Sequence, residues 1–322
     1  MAVTLVSDMK IYQDEFNAGL YEAWFLNSQI FNQASNGAIQ LVTQIHAGDY
    51  QKTAYFQRIS GLVTRQDIAS NASVTPTKLA QAEEVGVKLH RKIGPTDITL
   101  KSFNMAGLQT PEGSMALGRL IGDAVLKRMA DDALIAAKAA VLGVSALQND
   151  ITAAATKTGN FQSLNKTRAK WGDQMGKLAA WIMNSTVFTD IVGDGMANYG
   201  FDSVAGVMVA NGKMGGFLGA GALITDNSNL INTTPTPDQY YTLGLAAGAV
   251  IVKESELQNV VAKVITGTEQ LTLEIQGEYA NTVSVDGFTW DVTNGGSNPS
   301  DSALATSTNW DQVRTDTTGL PL

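Results

Sequence analysis

The chain of 322 residues contains no cysteine, only two histidines and only seven prolines. The absence of cysteine excludes disulfide stapling, thiol nucleophiles, cysteine-ligated zinc and iron–sulfur clusters. Charged residues make up only 16% of the chain, and 30 acidic residues against 22 basic ones give a net charge of −8. An acidic average argues against nucleic-acid binding that depends on phosphate contacts, because such binding usually needs a basic face.

Long apolar runs are also missing. No window approaches the roughly 18 uninterrupted apolar residues of a transmembrane helix, so we expect no membrane span. The N-terminus "MAVTLVSDMKIYQDEF" has no basic region followed by an apolar one, and it therefore predicts no secretory signal. These absences favour a chain that is made and folded in the cytosol.

The residue types that serve in catalysis and in ligand binding form no recognisable motif in this sequence. His46 and His90 lie in strand-like segments, and the chain has no G-x-S-x-G motif, so no serine hydrolase triad is predicted. The glycine-rich segment around Lys213 lacks the residue order of a phosphate-binding loop. The nearby acids are spaced too irregularly for a calcium loop: Asp190, Asp194, Asp202 and Asp226. We expect no catalytic residue, no cofactor and no metal site.

The first third of the chain predicts a helix followed by a long hairpin. Phe16, Leu20 and Trp24 recur at helical spacing and predict a helix over residues 8–34. Two alternating segments on either side of a long polar tip then predict an extended hairpin over residues 50–93. A two-stranded hairpin is marginally stable by itself in water, so we expect its second face to need a partner.

The strongest helix signal lies between Thr110 and Gly143. Thr110 suits the N-cap, Pro111 suits the first helical position, and Gly143 suits the stop. The apolar residues predicted to share one face are Leu117, Leu120, Ile121, Ala124 and Val125, and Arg128 and Asp132 fall on that same face further along. A buried stripe that changes sides predicts a helix that lies across several neighbours.

The remaining segments complete a mixed pattern. Residues 163–192 predict a short helix, a buried strand at "LAAWIMN" and a second helix capped by Ser185 or Thr186. Glycine-rich loops and short strands follow, and alternating runs close the chain through "LTLEIQGEYANTVSVDGFTW". The whole pattern predicts an α+β fold.

In this order, the segments resemble the major capsid proteins of tailed double-stranded DNA bacteriophages, which have the Hong Kong 97-type shell fold. The resemblance covers nearly the whole chain. It rests on "EEVGVKLHRKIGPTDIT", "ALGRLIGDAVLKRMADDALIAAKAAVLG", "AAWIMNSTVFTDI" and, most specifically, "GFTWDVTNGGSNPSDSALATSTNWDQV". It implies an N-terminal arm (1–49), an extended β-hairpin or E-loop (50–93), a peripheral P domain (94–162) with a spine helix (111–143), an α/β axial A domain (163–250), and P-domain return strands with a C-terminal tail (251–322).

The resemblance also implies the function. The expected protein is a coat protein that self-assembles as hexamers and pentamers into an icosahedral head around packaged DNA, without sequence-specific DNA binding. It is expected in the virion, after assembly in the cytoplasm of the host bacterium. Expected partners are further copies of the chain, a portal protein and a separate scaffolding protein, since the chain begins almost directly at the N-arm; a cement protein is left open. No motif marks Lys52 or Lys78 as reactive, so we expect no covalent cross-link.

Four residues are candidate contacts between subunits: Trp24, Arg65, Lys78 and Trp310. Trp310 stands in a polar tail, which suits an aromatic anchor that orders against the shell and not within its own fold. Two alternatives remain open. One is an encapsulin-type nanocompartment shell, which shares the architecture but encloses an enzyme. The other is a hydrolase or small-molecule-binding α+β domain that uses the glycine-rich residues 211–221.

Overall fold

The computed structural model describes residues 13–56, 63, 65–66, 68–70, 73, 75–76, 81–107, 110–154, 156–198, 220–267 and 269–314. Helices and strands are mixed along these ranges, which confirms the α+β prediction. No helix in the described ranges is both long and apolar enough to pass through a bilayer.

The described helices and strands have the following bounds. The helices are α1 (Gln13–Ala34), α2 (Leu100–Met105), α3 (Pro111–Leu142), α4 (Phe161–Ala169) and α5 (Ser185–Asn198), with one-turn helices at Val292–Gly295 and Asp301–Leu304. The strands are β1 (Ile39–Thr43), β2 (Tyr50–Phe56), β3 (Gln81–Thr99), β4 (Leu178–Met183), β5 (Gly221–Ile224), β6 (Ile231–Asn232), β7 (Gln239–Tyr240), β8 (Leu243–Ala246), β9 (Val250–Ile265), β10 (Thr272–Val285), β11 (Phe288–Trp290) and β12 (Trp310–Gln312).

The long helix α3 begins as the sequence predicts. The Thr110 hydroxyl accepts a hydrogen bond from the Gly113 amide at 3.1 Å, and Pro111 occupies the first turn, where its missing N–H costs nothing. The helix ends at Leu142, and Gly143 follows with a right-handed backbone at φ −70°. The long helix predicted between Thr110 and Gly143 is therefore confirmed, although its end does not use the left-handed conformation that glycine permits.

The largest sheet has the strand order β1-β9-β10-β3-β2. β1 runs parallel to β9, and the other neighbours are antiparallel. β10 pairs with β3 over residues 87–99, whereas β2 pairs with β3 over residues 81–87. Strand β3 therefore changes partner at Val87. Beyond that point residues 50–56 and 81–86 form a two-stranded structure, which we call the ribbon.

A smaller sheet with the order β5-β4-β8 forms an α/β unit with α4 and α5. Trp181, Ile182 and Met183 of the central strand β4 are fully buried, which confirms the strand predicted at "LAAWIMN". The Asn184 side chain accepts a hydrogen bond from the Thr186 amide at 2.9 Å. Asn184 therefore caps α5, in place of the predicted Ser185 or Thr186, because it is the residue that precedes the first helical turn.

Glycines bring α1 and α3 together at backbone distance. A Cβ atom at Gly118 would lie 2.1 Å from the Phe16 carbonyl oxygen, and one at Gly122 would lie 2.8 Å from the Leu20 carbonyl oxygen. The packed face of α3 is thus centred on these glycines. This corrects the predicted apolar face, because Leu120 points outward and is 67% exposed.

The second half of α3 is buried on nearly every side. Its buried residues include Met129, Ala133, Leu134, Ile135, Ala136, Ala137, Ala139 and Ala140. It contacts β9, β10, β12 and the one-turn helix Asp301–Leu304, while its first half contacts α1. The prediction of a helix that lies across several neighbours is therefore confirmed.

Candidate assembly surfaces

The ribbon begins at Val87, where the pairing of β3 with β10 ends. Its two strands pair only with each other over residues 81–86 of β3. Residues 57–80, the tip, connect them and lie mostly outside the described residues. Two described residues of the tip, Val63 and Ile68, are 92% and 93% exposed. The tip therefore presents apolar side chains that the described part of its own chain does not cover, whereas Val85 of the ribbon belongs to the main core.

The C-terminal tail, residues 288–314, contacts the base of the ribbon. Arg314 Nε lies 2.6 Å from Glu84 Oε1 on β3, and Arg314 Nη1 lies 2.9 Å from Asp286 Oδ1. The same guanidinium stands 4.8 Å above the centre of the Tyr55 ring on β2. The Tyr55 hydroxyl donates a hydrogen bond to the Val313 carbonyl at 3.1 Å. One arginine thus contacts both strands of the ribbon and the body of the subunit.

Two hydrogen bonds extend this contact along β3. The Val85 amide donates to Thr289 Oγ1 at 3.0 Å, and the His90 amide donates to Asn298 Oδ1 at 2.9 Å. Both donors are backbone groups of β3 that receive a side-chain acceptor from the tail. The tail thus satisfies parts of the strand edge that the sheet leaves uncovered.

A buried ionic cluster joins the tail to the spine helix. Asp132 of α3 is fully buried and lies 2.7 Å from Arg91 Nη2 and 3.0 Å from Arg128 Nη2. The side-chain amide of Asn281 on β10 donates a hydrogen bond to Oδ2 of Asp132 at 3.0 Å. Asp301 of the tail also contacts both guanidiniums, at 2.8 Å from Arg91 and 2.5 Å from Arg128. Helix α3 and strands β3 and β10 therefore meet at the Asp132 carboxylate, and the tail joins them through the two arginines.

The two carboxyls of this cluster differ in their electrostatic environment. Burial raises the pKa of Asp132, although Arg91, Arg128 and the Asn281 amide act in the opposite direction. Burial also acts on Asp301, but hydrogen bonds and charges of the same arginines hold the pKa of Asp301 below its usual value. Arg128 and Asp132 also form an i,i+4 ion pair within α3.

The two candidate tryptophans lie inside their own chain. Trp310 is only 2% exposed, packs edge-on against Trp290 at 5.1 Å between ring centroids, and donates from Nε1 to the Leu304 carbonyl at 3.1 Å. Trp24 is 8% exposed and belongs to the main core. The interpretation of Trp310 as an anchor that orders against the shell is therefore corrected, since the tail packs its indole ring within the subunit. Trp24 likewise has little surface left for a neighbour.

The two basic candidates belong to the hairpin tip. Arg65 is described and exposed, so its role as a contact between subunits stays a prediction. Lys78 lies outside the described residues, as does most of the glycine-rich segment 211–221.

The outward side of α1 carries apolar side chains that its own chain does not cover. Two pairs at i,i+4 spacing, Tyr21–Phe25 and Leu26–Ile30, border this side, and Phe25 and Ile30 are 57% and 62% exposed. Glu22 lies between the pairs and contacts Arg119 of α3 at 2.8 Å. We call this surface the α1 face. Helical periodicity was used above only to identify the buried stripe of α1. The apolar residues Phe25 and Ile30 outside that stripe could have indicated this surface.

Neither histidine stands in a catalytic arrangement. His46 Nε2 lies 3.4 Å from Thr282 Oγ1, and His90 Nδ1 lies 3.9 Å from Glu256 Oε2. Glu256 instead contacts the buried Lys88 ammonium at 2.5 Å. Burial, together with the charges of Lys88 and Lys253, lowers the pKa of His46. Within the described ranges, no three side chains of the histidine, aspartate or glutamate type are grouped as a metal site would require.

An acidic groove of about 710 Å³ lies between α3 and β5. Its carboxylates each accept a hydrogen bond from the protein itself: Asp123 from Asn27, Asp131 from Asn227, and Asp226 from the Ser185 amide. These acids therefore have structural roles at the junction of the helix and the small sheet.

The chain was compared with known proteins. The model of the Gp13-like family, described as major capsid protein 13-like, matches residues 8–319. The capsid asymmetric unit of cyanophage Pam1 is similar to it at 14% identity and a TM-score of 0.49, over 78% of this chain and 85% of that chain. The capsid of Ralstonia phage GP4 is similar at 10% identity and a TM-score of 0.49, over 79% and 84% of the two chains. Among curated protein sequences, none matches the chain.

Proposed function

The chain belongs to the Gp13-like family of major capsid proteins, and from this membership we propose that its copies form hexamers and pentamers that close an icosahedral shell. Membership confirms the coat-protein function that the sequence resemblance implied. The proposed shell is the head of a tailed bacteriophage, encloses double-stranded DNA without reading its sequence, and belongs to the virion. Hexamers and pentamers built from one chain use the same surfaces in heterologous contacts that close.

The proposed partners follow from the resemblance. We propose a scaffolding protein and a portal protein as partners during assembly in the host cytoplasm, no enzymatic activity of the chain, and no covalent cross-link through Lys52 or Lys78. The acidic net charge of −8 supports a shell that does not adhere to packaged DNA, because like charges repel.

The observation that best supports self-assembly is the geometry of the hairpin. Its ribbon continues past Val87, where pairing with β10 ends, and its tip residues Val63 and Ile68 are exposed to solvent. A subunit that remained alone would leave these side chains in water, whereas a neighbouring subunit that covers them would remove apolar area from water. We propose that the hairpin lies over a neighbouring copy.

The α1 face is the surface that we propose receives the tip of the neighbouring hairpin. Its apolar borders match the exposed Val63 and Ile68 of the tip. The charges are also complementary. Helix α1 has three acidic residues and no basic one, whereas residues 57–80 carry three basic residues, Arg58, Arg65 and Lys78, against the single acid Asp67. Electrostatic complementarity of this kind favours the correct partner and register.

Assembly is tested by electron microscopy and light scattering on the purified chain, alone and mixed with the scaffolding protein of its phage. Shells, tubes, or rings of hexamers and pentamers are the expected products. A chain that remains a monomer under both conditions would contradict the proposed function. Nuclease-protected DNA in particles from infected cells would distinguish a phage head from an encapsulin-type compartment, which would contain protein cargo instead.

The α1 face is tested by placing a charge on it. Phe25→Asp should leave the subunit folded, because the side chain is 57% exposed, but should prevent assembly. Met175→Asp is the matched control, since Met175 is an exposed apolar residue of the α/β unit. Equal assembly of the two variants would contradict a contact at the α1 face.

A further inference from the structure

We propose that Arg314 is a positioning residue that sets the direction in which the hairpin leaves the subunit, and thereby the geometry of the shell. The inference rests on the proposed function, because this direction matters to a shell only if the hairpin contacts a neighbouring copy.

The ribbon needs a contact of this kind because the sheet holds only its first residues. Beyond Val87, strand β3 no longer pairs with β10, although Gly86 still packs beside Ser284, and residues 81–86 pair only with β2. Two-stranded ribbons twist more strongly than larger sheets and are marginally stable by themselves. A small rotation at the base would displace the tip by a large distance. The direction of the tip therefore depends on what holds the base.

Arg314 holds both strands at the base and fixes them to the body. Its guanidinium contacts Glu84 of β3, stands above the ring of Tyr55 of β2, and contacts Asp286 in the turn after β10. The Glu84 carboxylate also accepts a hydrogen bond from the Gly287 amide at 3.2 Å, which ties the same strand to the same turn. Lys52 pairs with Glu83 within the ribbon, whereas Arg314 joins the ribbon to the body.

The charges explain why loss of Arg314 would move the ribbon as well as loosen it. Glu84 and Asp286 are two partly buried carboxylates, and burial raises the pKa of each. The Arg314 charge opposes that effect at both groups, while the charge of Asp286 acts unfavourably on Glu84. Without the guanidinium, the two carboxylates would repel each other across the joint between ribbon and body.

The geometry also explains why arginine is required. A guanidinium presents several N–H donors in a fixed plane and can stack on an aromatic ring at the same time. Arg314 places Nε 2.6 Å from Glu84 Oε1 without hydrogen-bond geometry, places Nη1 2.9 Å from Asp286 Oδ1, and stacks its flat face on the Tyr55 ring. A lysine ammonium has one charged point and cannot make the three contacts together.

The test compares the unaltered chain with Arg314→Ala, Arg314→Lys and Arg119→Ala. Arg119 is the matched control, because it forms an ion pair of 2.8 Å with Glu22 between α1 and α3 and does not contact the ribbon. Hydrogen exchange of the amides in residues 50–56 and 81–86 is measured on unassembled subunits. Particle diameter and closure are measured by electron microscopy after assembly with the scaffolding protein.

We expect ribbon amides to exchange about ten-fold faster in Arg314→Ala, the size expected for loss of a charge-assisted contact. Particles of this variant should be open or vary in diameter, and Arg314→Lys should lie between Arg314→Ala and the unaltered chain. Arg119→Ala should match the unaltered chain in the exchange of the ribbon amides, which is the readout that it controls. Changed exchange with unaltered particles would overturn the link to shell geometry, and unchanged exchange would overturn the positioning role itself. An unaltered chain that forms no particles would instead overturn the proposed function. The lysine variant retains the charge, so it decides the question if Arg314→Ala fails to fold.

Discussion

The tail and the hairpin differ in a way that their compositions do not suggest. The tail, residues 288–314, is rich in polar residues, yet it buries Trp290 and Trp310 in the subunit and contributes Asp301 to the ionic cluster. The hairpin, residues 50–93, has the alternating pattern of a strand pair, yet residues 81–86 pair only with β2, and the described tip residues Val63 and Ile68 are exposed. Whether a segment is buried therefore depends on its position in the fold as much as on its own residues.

The two regions also depend on each other. The tail contacts strand β3 at two places. Arg314 contacts Glu84 at the base of the ribbon, and Asp301 contacts Arg91 further along the strand. The part of the chain that looks like a polar terminus therefore supports the part that is proposed to contact a neighbour. Disruption of the tail should affect folding, whereas disruption of the tip should affect assembly.

The largest expected effect is that of Trp310→Ala on the isolated subunit. Removal of a buried indole leaves a cavity beside Trp290 and an unsatisfied Leu304 carbonyl, so the free energy of unfolding should fall by about 3–5 kcal/mol. Urea denaturation of the unassembled subunit measures it. Asp311→Ala, at the neighbouring exposed position of β12, should have little effect. Equal stability of Trp310→Ala and the unaltered chain would mean that the tail does not belong to the subunit core.

A smaller loss is expected for Asp132→Asn. The change removes the charge that faces Arg91 and Arg128 but leaves Asp301 beside both, so the free energy of unfolding should fall by about 2–3 kcal/mol. Asp131→Asn is the control on the same helix, because Asp131 accepts from Asn227 and acts on Arg128 only through its more distant charge. A double-mutant cycle with Asp301→Asn measures how strongly tail and spine helix are coupled; additive effects would show that they are not.

Deletion of residues 66–80 tests the contribution of the hairpin to folding and to assembly separately. The deleted residues belong to the tip, so the melting temperature of the subunit should remain nearly unchanged. Assembly should be lost, because the segment proposed to contact the α1 face is removed. Circular dichroism melting and electron microscopy give the two readouts. A deletion variant that no longer folds would show that the tip supports its own subunit.

The smallest effect concerns pH and His46, in the segment that joins β1 to the hairpin. The pKa of His46 is lowered in the folded chain from 6.5, so the unfolded chain takes up its proton first as the pH falls. Stability from the neutral imidazole is therefore complete above about pH 6.5 and declines as the pH falls toward the folded-state pKa. His46→Gln should flatten this part of the curve of melting temperature against pH. Parallel curves for the unaltered chain and His46→Gln would contradict the assignment.

Much of the fold could be predicted from local signals. Thr110 and Pro111 marked the start of the spine helix, and the apolar run around Trp181 marked a buried strand, because caps and periodicity act over a few residues. The face of α3 that packs could not be predicted from its leucines. Gly118 and Gly122 permit the backbone of α1 to approach, and that approach displaces Leu120 outward.

The candidate contacts were predicted less well, and the reason is also physical. Trp310 was interpreted as a surface anchor because its neighbours in sequence are polar, but its neighbours in space are Trp290 and Leu304. The contact of Arg314 with Glu84 spans most of the chain and leaves no local pattern. By contrast, Phe25 and Ile30 could have been found, because exposed apolar residues opposite a buried stripe are visible in helical periodicity.

From the amino-acid sequence alone one could read which side chains for catalysis are missing, where the strongest helices and strands lie, and that the chain resembles a capsid family. These features depend on residue type and on spacing over a few residues, and both can be read directly from the sequence. Only the tertiary structure decided that the polar tail is part of the core, that the ribbon leaves the sheet at Val87, and that Arg314 joins the two. Those outcomes depend on contacts between segments far apart in the chain, whose energies exist only after the fold brings them together.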